Sequence, residues 1–333
     1  MSKSITLIPG DGIGPEVTTA AVQLLKAAGA NLEWEEVEAG EIAISKYGKP
    51  LPDEVVESVQ KNKVALKGPL TTGVAKGFPS ANVELRQRLE TYASLRPVTN
   101  VPGVKSRFAE VDVVIVRENT EGLYSGLEHT ITTGVTQSLK IITRKASTRI
   151  AHFAFEYAKK WNRKKVTTAH KANILKVSDG LFLKTCQEVA QEYPDIRHEE
   201  MIVDNLAMQL VLRPEHFEVL LLTNLYGDIV SDLCAGLVGG LGLVPGANIG
   251  KDYAVFEAVH GSAPDIAGKN KANPLAIFFS SLLMLEYLNM EDTAKRIRSA
   301  IYKVTSAGTV LTPDLGGNAS TMEFTEAVIQ ELA

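Results

Sequence analysis

Two rhythms of hydrophobic and polar positions run along the chain. Short apolar runs at Ile5 to Ile8, Val64 to Leu66, Val111 to Val116, Lys165 to Ala169 and Phe217 to Leu222 read as buried strands. Leu32 to Glu38 alternates with a period of two, like a half-buried strand. Helical spacing marks Pro15 to Lys26, Asp53 to Lys61 and a stretch with Ala151, Phe155 and Ala158 on one side. Three more helices are predicted near the end, at Leu275 to Tyr287, Met290 to Tyr302 and Thr321 to Leu332. Strands interleaved with helices predict an α/β fold.

Other stretches are less regular. In residues 78–97, Leu85, Leu89 and Tyr92 mark one apolar helix face, and Thr130 to Thr143 alternates like an arm of strands. Gly236 to Gly250 reads as close helix packing and a turn, and a strand from Ala254 leads into a long loop reaching Pro274. Such a loop inside a compact domain is commonly functional. The 333 residues suit two α/β domains, and the absence of a linker predicts that these interweave.

Composition narrows the function. Apolar residues at 45% and charged residues at 22% describe an ordinary globular protein, and a net charge of -4 without a basic block argues against nucleic-acid binding. The longest uncharged run, Leu233 to Gly250, holds six glycines and Pro245, so no membrane span is expected. The start, MSKSITLIPG, reads as strand and turn and not as a leader. Cys186 and Cys234 sit among apolar residues as packed thiols. A cytoplasmic protein is expected.

The chemistry centres on YGDIVSD, Tyr226 to Asp232. Gly227 permits a tight turn after the apolar run, and Asp228 and Asp232 then fall on one face of a helix. Like charges at that spacing cost an isolated helix about 0.2–0.5 kcal/mol, which a divalent cation with oxygen ligands would offset. A capping aspartate followed by a solvated one fits the same spacing. PGDGIGPE, Pro9 to Glu16, suggests a dinucleotide loop but lacks G-x-G-x-x-G, and Asp11 would stand where a pyrophosphate wants amides. KGPLTTG, Lys67 to Gly73, misses the P-loop pattern yet places Thr71 and Thr72 after a strand. Arg86, Arg96 and Arg117 lie near element ends, with Ser80 and Asn82 beside Arg86, and suggest a pocket for several carboxylates. Tyr124 lies in a loop between two glycines, Lys171 follows a strand beside Asn173, and Asp204 follows Met201 to Val203.

GDGIGPE, KGPLTT, RENTEGLY, HKAN, DN, NLYGDIVSDL, EAVHGSAPDIAGK, ANP and TPDLGGN occur in that order over nearly the whole chain. Together they resemble the β-decarboxylating dehydrogenases, the family of isocitrate, isopropylmalate and homoisocitrate dehydrogenases. The resemblance implies a two-domain α/β fold that is not the Rossmann dinucleotide fold. Residues 1-95 plus 240-333 would form a large cofactor-side domain, and 96-239 a small dimerisation domain with an arm near 125-145. It further implies that Asp204, Asp228 and Asp232 hold Mg2+ or Mn2+, with Asp204 and Lys171 reaching in from the other subunit of a homodimer. Arg86, Arg96 and Arg117 would bind substrate carboxylates, Lys171 would remove a hydroxyl proton, and Tyr124 would protonate the carbon left by decarboxylation.

Two choices within the family follow. Ser80 and Asn82 match an isocitrate-type pocket, where an isopropylmalate enzyme would be apolar. Asp265-Ile266 stands where NADP-using relatives carry Lys-Tyr, and a carboxylate there favours ribose hydroxyls over a 2′-phosphate, so NAD is expected. His260, Gly261, Ser262, Ala263 and Asn273 would line the adenine side, with Thr71 or Thr72 on the nicotinamide side and Asn173 also at the cofactor. Homoisocitrate or isopropylmalate as substrate, and a non-catalytic regulatory chain, are the rival readings.

Overall fold

The computed structural model describes residues 2–73 and 78–332. Eleven helices among these residues surround one ten-stranded mixed sheet. The first third contributes strands β1 (Lys3–Ile8), β2 (Leu32–Glu36), β3 (Val64–Lys67) and β4 (Ala93–Thr99), with helices α1 (Gly14–Ala27), α2 (Glu41–Tyr47), α3 (Asp53–Asn62) and α4 (Ala81–Arg88). The middle contributes β5 (Asp112–Glu118), the hairpin β6 (Glu128–Thr132) and β7 (Val135–Ser138), α5 (Arg144–Lys160), β8 (Lys165–His170), α6 (Ser178–Ala190), β9 (Arg197–Ile202), α7 (Val203–Leu212), β10 (Val219–Leu222) and α8 (Asn224–Val238). Then come β11 (Pro245–Ile249), β12 (Ala254–Ala258), α9 (Leu275–Tyr287), α10 (Glu291–Ala307) and α11 (Thr321–Gln330).

Local chemistry explains several boundaries. Pro15 opens α1, where a missing N–H costs nothing. Ser320 and Glu323 form a reciprocal capping box that starts α11. The apolar helix α9 is buried on nearly every side, and its Ser280 and Ser281 hydroxyls bond back to the carbonyls of Ala276 and Ile277. No described helix is both long and apolar enough to cross a membrane.

The strand order is β2-β1-β3-β12-β11-β4-β5-β10-β8-β9. Both outer blocks are parallel, but β11 runs antiparallel to β12 and to β4, and β4 antiparallel to β5. The blocks therefore run in opposite directions, unlike the parallel dinucleotide-binding sheet. One face carries a continuous core that includes Leu24, Leu95, Val116, Phe155, Leu221 and Phe278. The opposite face carries two separate cores, one around Ile8, Leu85 and Val255 and one around Val98, Ile115, Leu220 and Cys234. Between these two lies a band of polar side chains from the central strands: Lys67, Glu257, Asn248, Ser94, Arg96 and Arg117. Pairing is direct, Lys67 with Glu257, Asn248 with Ser94, and Ser94 with Arg117.

Several sequence expectations change here. The face assigned from Leu85, Leu89 and Tyr92 is not one helix, because α4 stops at Arg88 and Tyr92 precedes strand β4. Gly236 to Gly250 contains the end of α8, a short turn and strand β11. The alternation after Thr130 does form a two-stranded hairpin, and every residue of β6 and β7 is exposed.

Phe155 is fully buried, stacked on Tyr193 with ring centroids 5.2 Å apart. Phe155→Ala is expected to destabilise the fold by about 3–5 kcal/mol, read as a lower midpoint in urea at unchanged slope.

Candidate active site

The polar band is the floor of a cavity of about 130 Å³ between α4 and the strands β4, β11 and β12. Lys67 and Glu257 form a buried ion pair at 2.6 Å, with Lys67 only 2% exposed. Glu257 also accepts from Arg86 at 3.0 Å and from the Asn248 amide at 2.5 Å. Burial pushes the Glu257 carboxyl up, but Lys67 and Arg86 outweigh this and hold it far below the usual carboxylate range. Asn82 and Arg86, one turn apart on α4, both reach the cavity. Ser80 caps that helix positionally, yet its hydroxyl turns to Thr72 at 3.1 Å. The Asn82 Oδ1 atom is buried without a partner among the described residues, an acceptor left for a ligand.

Arg96 lies mid-strand in β4, not at an element end, and links the cavity to the aspartate helix. It donates to Ser231 at 2.5 Å and stands 3.6 Å from Asp228 and 3.7 Å from Asp232. Arg117, 1% exposed, donates to Asn224 at 3.0 and 2.6 Å and ion-pairs with Asp228. The Tyr124 hydroxyl donates to the other oxygen of Asp228, and its ring lies 5.0 Å from the Arg117 guanidinium. Burial lowers the pKa of both guanidinium groups, which still stay charged at neutral pH. Burial presses Asp228 upward, but Arg117, the Tyr124 hydrogen bond and Arg96 prevail and hold it below the usual range. Asp232 is held above that range, first by burial, with Arg96 opposing. Burial, then the bond to Asp228, raises Tyr124, so its phenol keeps its proton at neutral pH.

Asp228 and Asp232 do share a helix face, and two arginines offset their repulsion. Asp228 is no cap: α8 begins at Asn224, inside which Asp228 lies. Gly227 makes no turn either. It lies buried within α8, where a Cβ would fall 2.6 Å from the Arg117 side chain. Arg117 can lie along the helix only because position 227 has no side chain.

The two carboxylates supply the hard oxygen donors that Mg2+ or Mn2+ takes, and so fit such a cation. No group of three or more His, Cys, Asp or Glu that could hold a metal occurs among the described residues. Asp204 is elsewhere, ion-paired with Lys171, and that partner holds its carboxyl below the usual range. Lys171 follows β8, with its amide bonded to buried Asp179 at 2.7 Å. Asn173 is exposed on the same loop, outside the cavity.

The residues expected on the cofactor side gather in the segments that follow β3 and β12. The Thr71 hydroxyl bonds Ser262 at 3.0 Å. His260 and Gly261 line the cavity, and burial lowers the pKa of His260, keeping it neutral. Its Nδ1 lies 3.0 Å from the Gly261 carbonyl, which can only accept, so Nδ1 carries the proton. Nε2 is then an acceptor, buried without a partner among the described residues, and fits a ligand N–H such as an adenine or carboxamide offers. Ala263 has φ +41° and leads into the short turn Pro264–Ile266, where Asp265 is exposed. Asn273 is engaged with Asp314 at 2.9 Å and with the Leu275 amide at 2.9 Å.

Sequence reasoning did not single out Lys67, Asn248, Glu257, Asn224 or Ser231. The available signal was a charged residue closing a short apolar strand, as in VALK and AVFEA.

Glu257→Gln leaves Lys67 buried without its counter-charge and is expected to cost about 3–5 kcal/mol at pH 7. Because the folded pKa is depressed, the stabilisation from Glu257 is complete above its unfolded pKa of about 4.3 and declines as pH falls below it. Unfolding measured from pH 7 down to pH 3 should therefore bring variant and parent closer together.

The family profile described as isocitrate/isopropylmalate dehydrogenase matches residues 4–328. A catalytic subunit of a mitochondrial NAD isocitrate dehydrogenase from Arabidopsis thaliana is 52% identical over 98% of this chain and 88% of the relative. A relative from Dictyostelium discoideum, named as a regulatory subunit of the mitochondrial NAD isocitrate dehydrogenase, is 52% identical over 99% and 92%. The crystal structure of isocitrate dehydrogenase from Methylococcus capsulatus superposes with a TM-score of 0.97 at 49% identity, covering 100% of this chain and 99% of that one. The fold, the polar band and the sequence likeness lead to one conclusion: this chain belongs to the isocitrate/isopropylmalate dehydrogenase family.

Proposed function

We propose that this chain is a metal-dependent isocitrate dehydrogenase that oxidises isocitrate at C2, releases CO2 and reduces NAD. The observation that carries the reading is Asp228 held between Arg117 and Tyr124, with Arg96 reaching both Asp228 and Asp232. Three arginines beside two aspartates suit an anionic substrate that also meets a cation. Arg86, Arg96 and Arg117 bind carboxylates through charge-assisted hydrogen bonds. The Ser80 hydroxyl and the Asn82 amide N–H, whose contact with the Leu70 carbonyl is long at 3.5 Å, can donate to a third carboxylate and favour it over the alkyl group of an isopropylmalate.

Asp228 and Asp232, joined by Asp204 of a second copy, would hold Mg2+ or Mn2+, which when bound supplies Lewis-acid polarisation of the C2 oxygen. NAD would lie across the loops at Thr71 and His260 and supplies the hydride acceptor. The exposed carboxylate of Asp265 disfavours a 2′-phosphate in that position. Lys171 removes the hydroxyl proton, and Tyr124, protonated at neutral pH, returns one to the carbon left by CO2. We assign Lys171 and Asp204 to the second copy, in a homodimer. Exposed apolar side chains flank both places: Ile229 beside Asp228, Ile174 and Val177 after Lys171, and Met208 and Leu212 beyond Asp204. We also take residues 1-95 plus 240-333 and residues 96-239 as two lobes that share the central sheet.

A regulatory role is the second reading, favoured by the name of the Dictyostelium relative. Against it, no arginine, aspartate, lysine or tyrosine of the proposed chemistry is missing.

Initial rates with isocitrate and Mg2+ should show NAD reduction, little with NADP, and none after EDTA. Activity only with homoisocitrate would refute the reading of Ser80 and Asn82, and a folded dimer inactive with every substrate would favour the regulatory role. Lys171→Met and Asp228→Asn should each abolish activity alone. Refolded together they should recover about a quarter of it, since half the dimers are hybrids with one intact site. No recovery would place Lys171 and Asp228 in the same chain's site.

A further inference from the structure

The loop PGDGIGPE has no part in the chemistry above, and its buried carboxylate needs a reason. Asp11 is 5% exposed. One of its oxygens accepts from the Thr71 amide at 2.7 Å, and the other from the Glu41 amide at the start of α2, also at 2.7 Å. Its own amide bonds the Pro69 carbonyl at 2.8 Å. Two residues on, the Ile13 amide bonds the Ser262 carbonyl at 2.9 Å. At Gly12 a Cβ would fall 1.9 Å from that same carbonyl, so no other residue allows the approach. Glu16 continues the pattern by accepting from the Asn270 amide at 3.1 Å. A single short loop thus grips the segment after β3 at Pro69 and Thr71, and the segment after β12 at Ser262 and Asn270.

We propose that Asp11 is a positioning residue for the cofactor: its carboxylate fixes the Thr71 segment against Ser262, and so sets the distance between the two ends of the NAD site. The proposal rests on the reading that NAD lies across these loops. In this place both carboxylate oxygens of Asp11 turn inward onto amides. Without the carboxylate, the Thr71 amide loses its acceptor and the segment must move to find another. Binding would then include the cost of ordering it again. The substrate floor is built from Lys67, Glu257 and Arg86 and keeps its own contacts.

The test is Asp11→Asn, which keeps the shape but sets an amide N–H against one of the two backbone donors. NADH binding, followed by its fluorescence in the absence of turnover, should weaken about tenfold or more, and KM for NAD should rise in parallel. KM for isocitrate should stay within twofold. Combining Asp11→Asn with Thr71→Ala should weaken NADH less than the product of the single effects, since both act through one segment. Weakening of isocitrate and NADH alike, or strictly multiplicative effects, would indicate general loosening and overturn the proposal. Unchanged NADH binding in Asp11→Asn would overturn it alone, whereas unchanged binding in Thr71→Ala would overturn the placement of NAD with it. Hydrogen exchange in the unaltered, cofactor-free protein needs no variant: the Thr71 amide should exchange slowly, and fast exchange refutes the brace.

Discussion

A cation buried in the middle of a wide sheet must have a carboxylate close by, and this constraint organises the molecule. Lys67, Arg96 and Arg117 all point from central strands to the same face and are almost wholly buried. Leaving any of them unpaired would cost several kcal/mol. Glu257 answers Lys67 from the adjacent strand, and Asp228 answers Arg117 from the helix above. The polar band that results separates two apolar cores on that face, while the reverse face carries one continuous apolar core. The sheet is therefore one structural body with a seam of charge along one side.

The seam explains why helix α8 sits where it does. Its apolar residues Val230, Cys234 and Val238 pack into the core, while Asp228 meets Arg117 and Tyr124 and Asp232 faces Arg96. Gly227 then has a steric duty to the arginine and none to the chain direction. Tyr124 and Arg117 converge on one carboxylate and shift it in the same direction, so Asp228 stays ionised while Asp232, with less help, is the more easily protonated of the two.

Much of this was legible in the sequence, and the exceptions share a cause. Strands β1, β3, β5 and β10 were clear because they are short and apolar, as strands buried on both faces are. Strands β4, ASLRPVT, and β11, PGANI, were not, because one face of each carries the polar seam and Pro and Gly interrupt the pattern. In these two strands the apolar signal failed. The pairing of Asp228 with Asp232 could be read from their spacing, since helix geometry is local. The Lys67–Glu257 pair could not: each opens a separate motif, and strand pairing alone brings them together.

The same pairing has a consequence for how the chain comes together during synthesis. Strands β11 and β12 fill the gap between β3 and β4, although they follow β10 in sequence. Until residues 245–258 have emerged, the early strands lack their central neighbours, and Arg86 lacks a carboxylate 171 positions further on. Closure of so many long-range contacts is slow, and the unpaired edges of β3 and β4 stay open to wrong partners meanwhile. The residues that complete the site are thus also those that end the nascent chain's exposure.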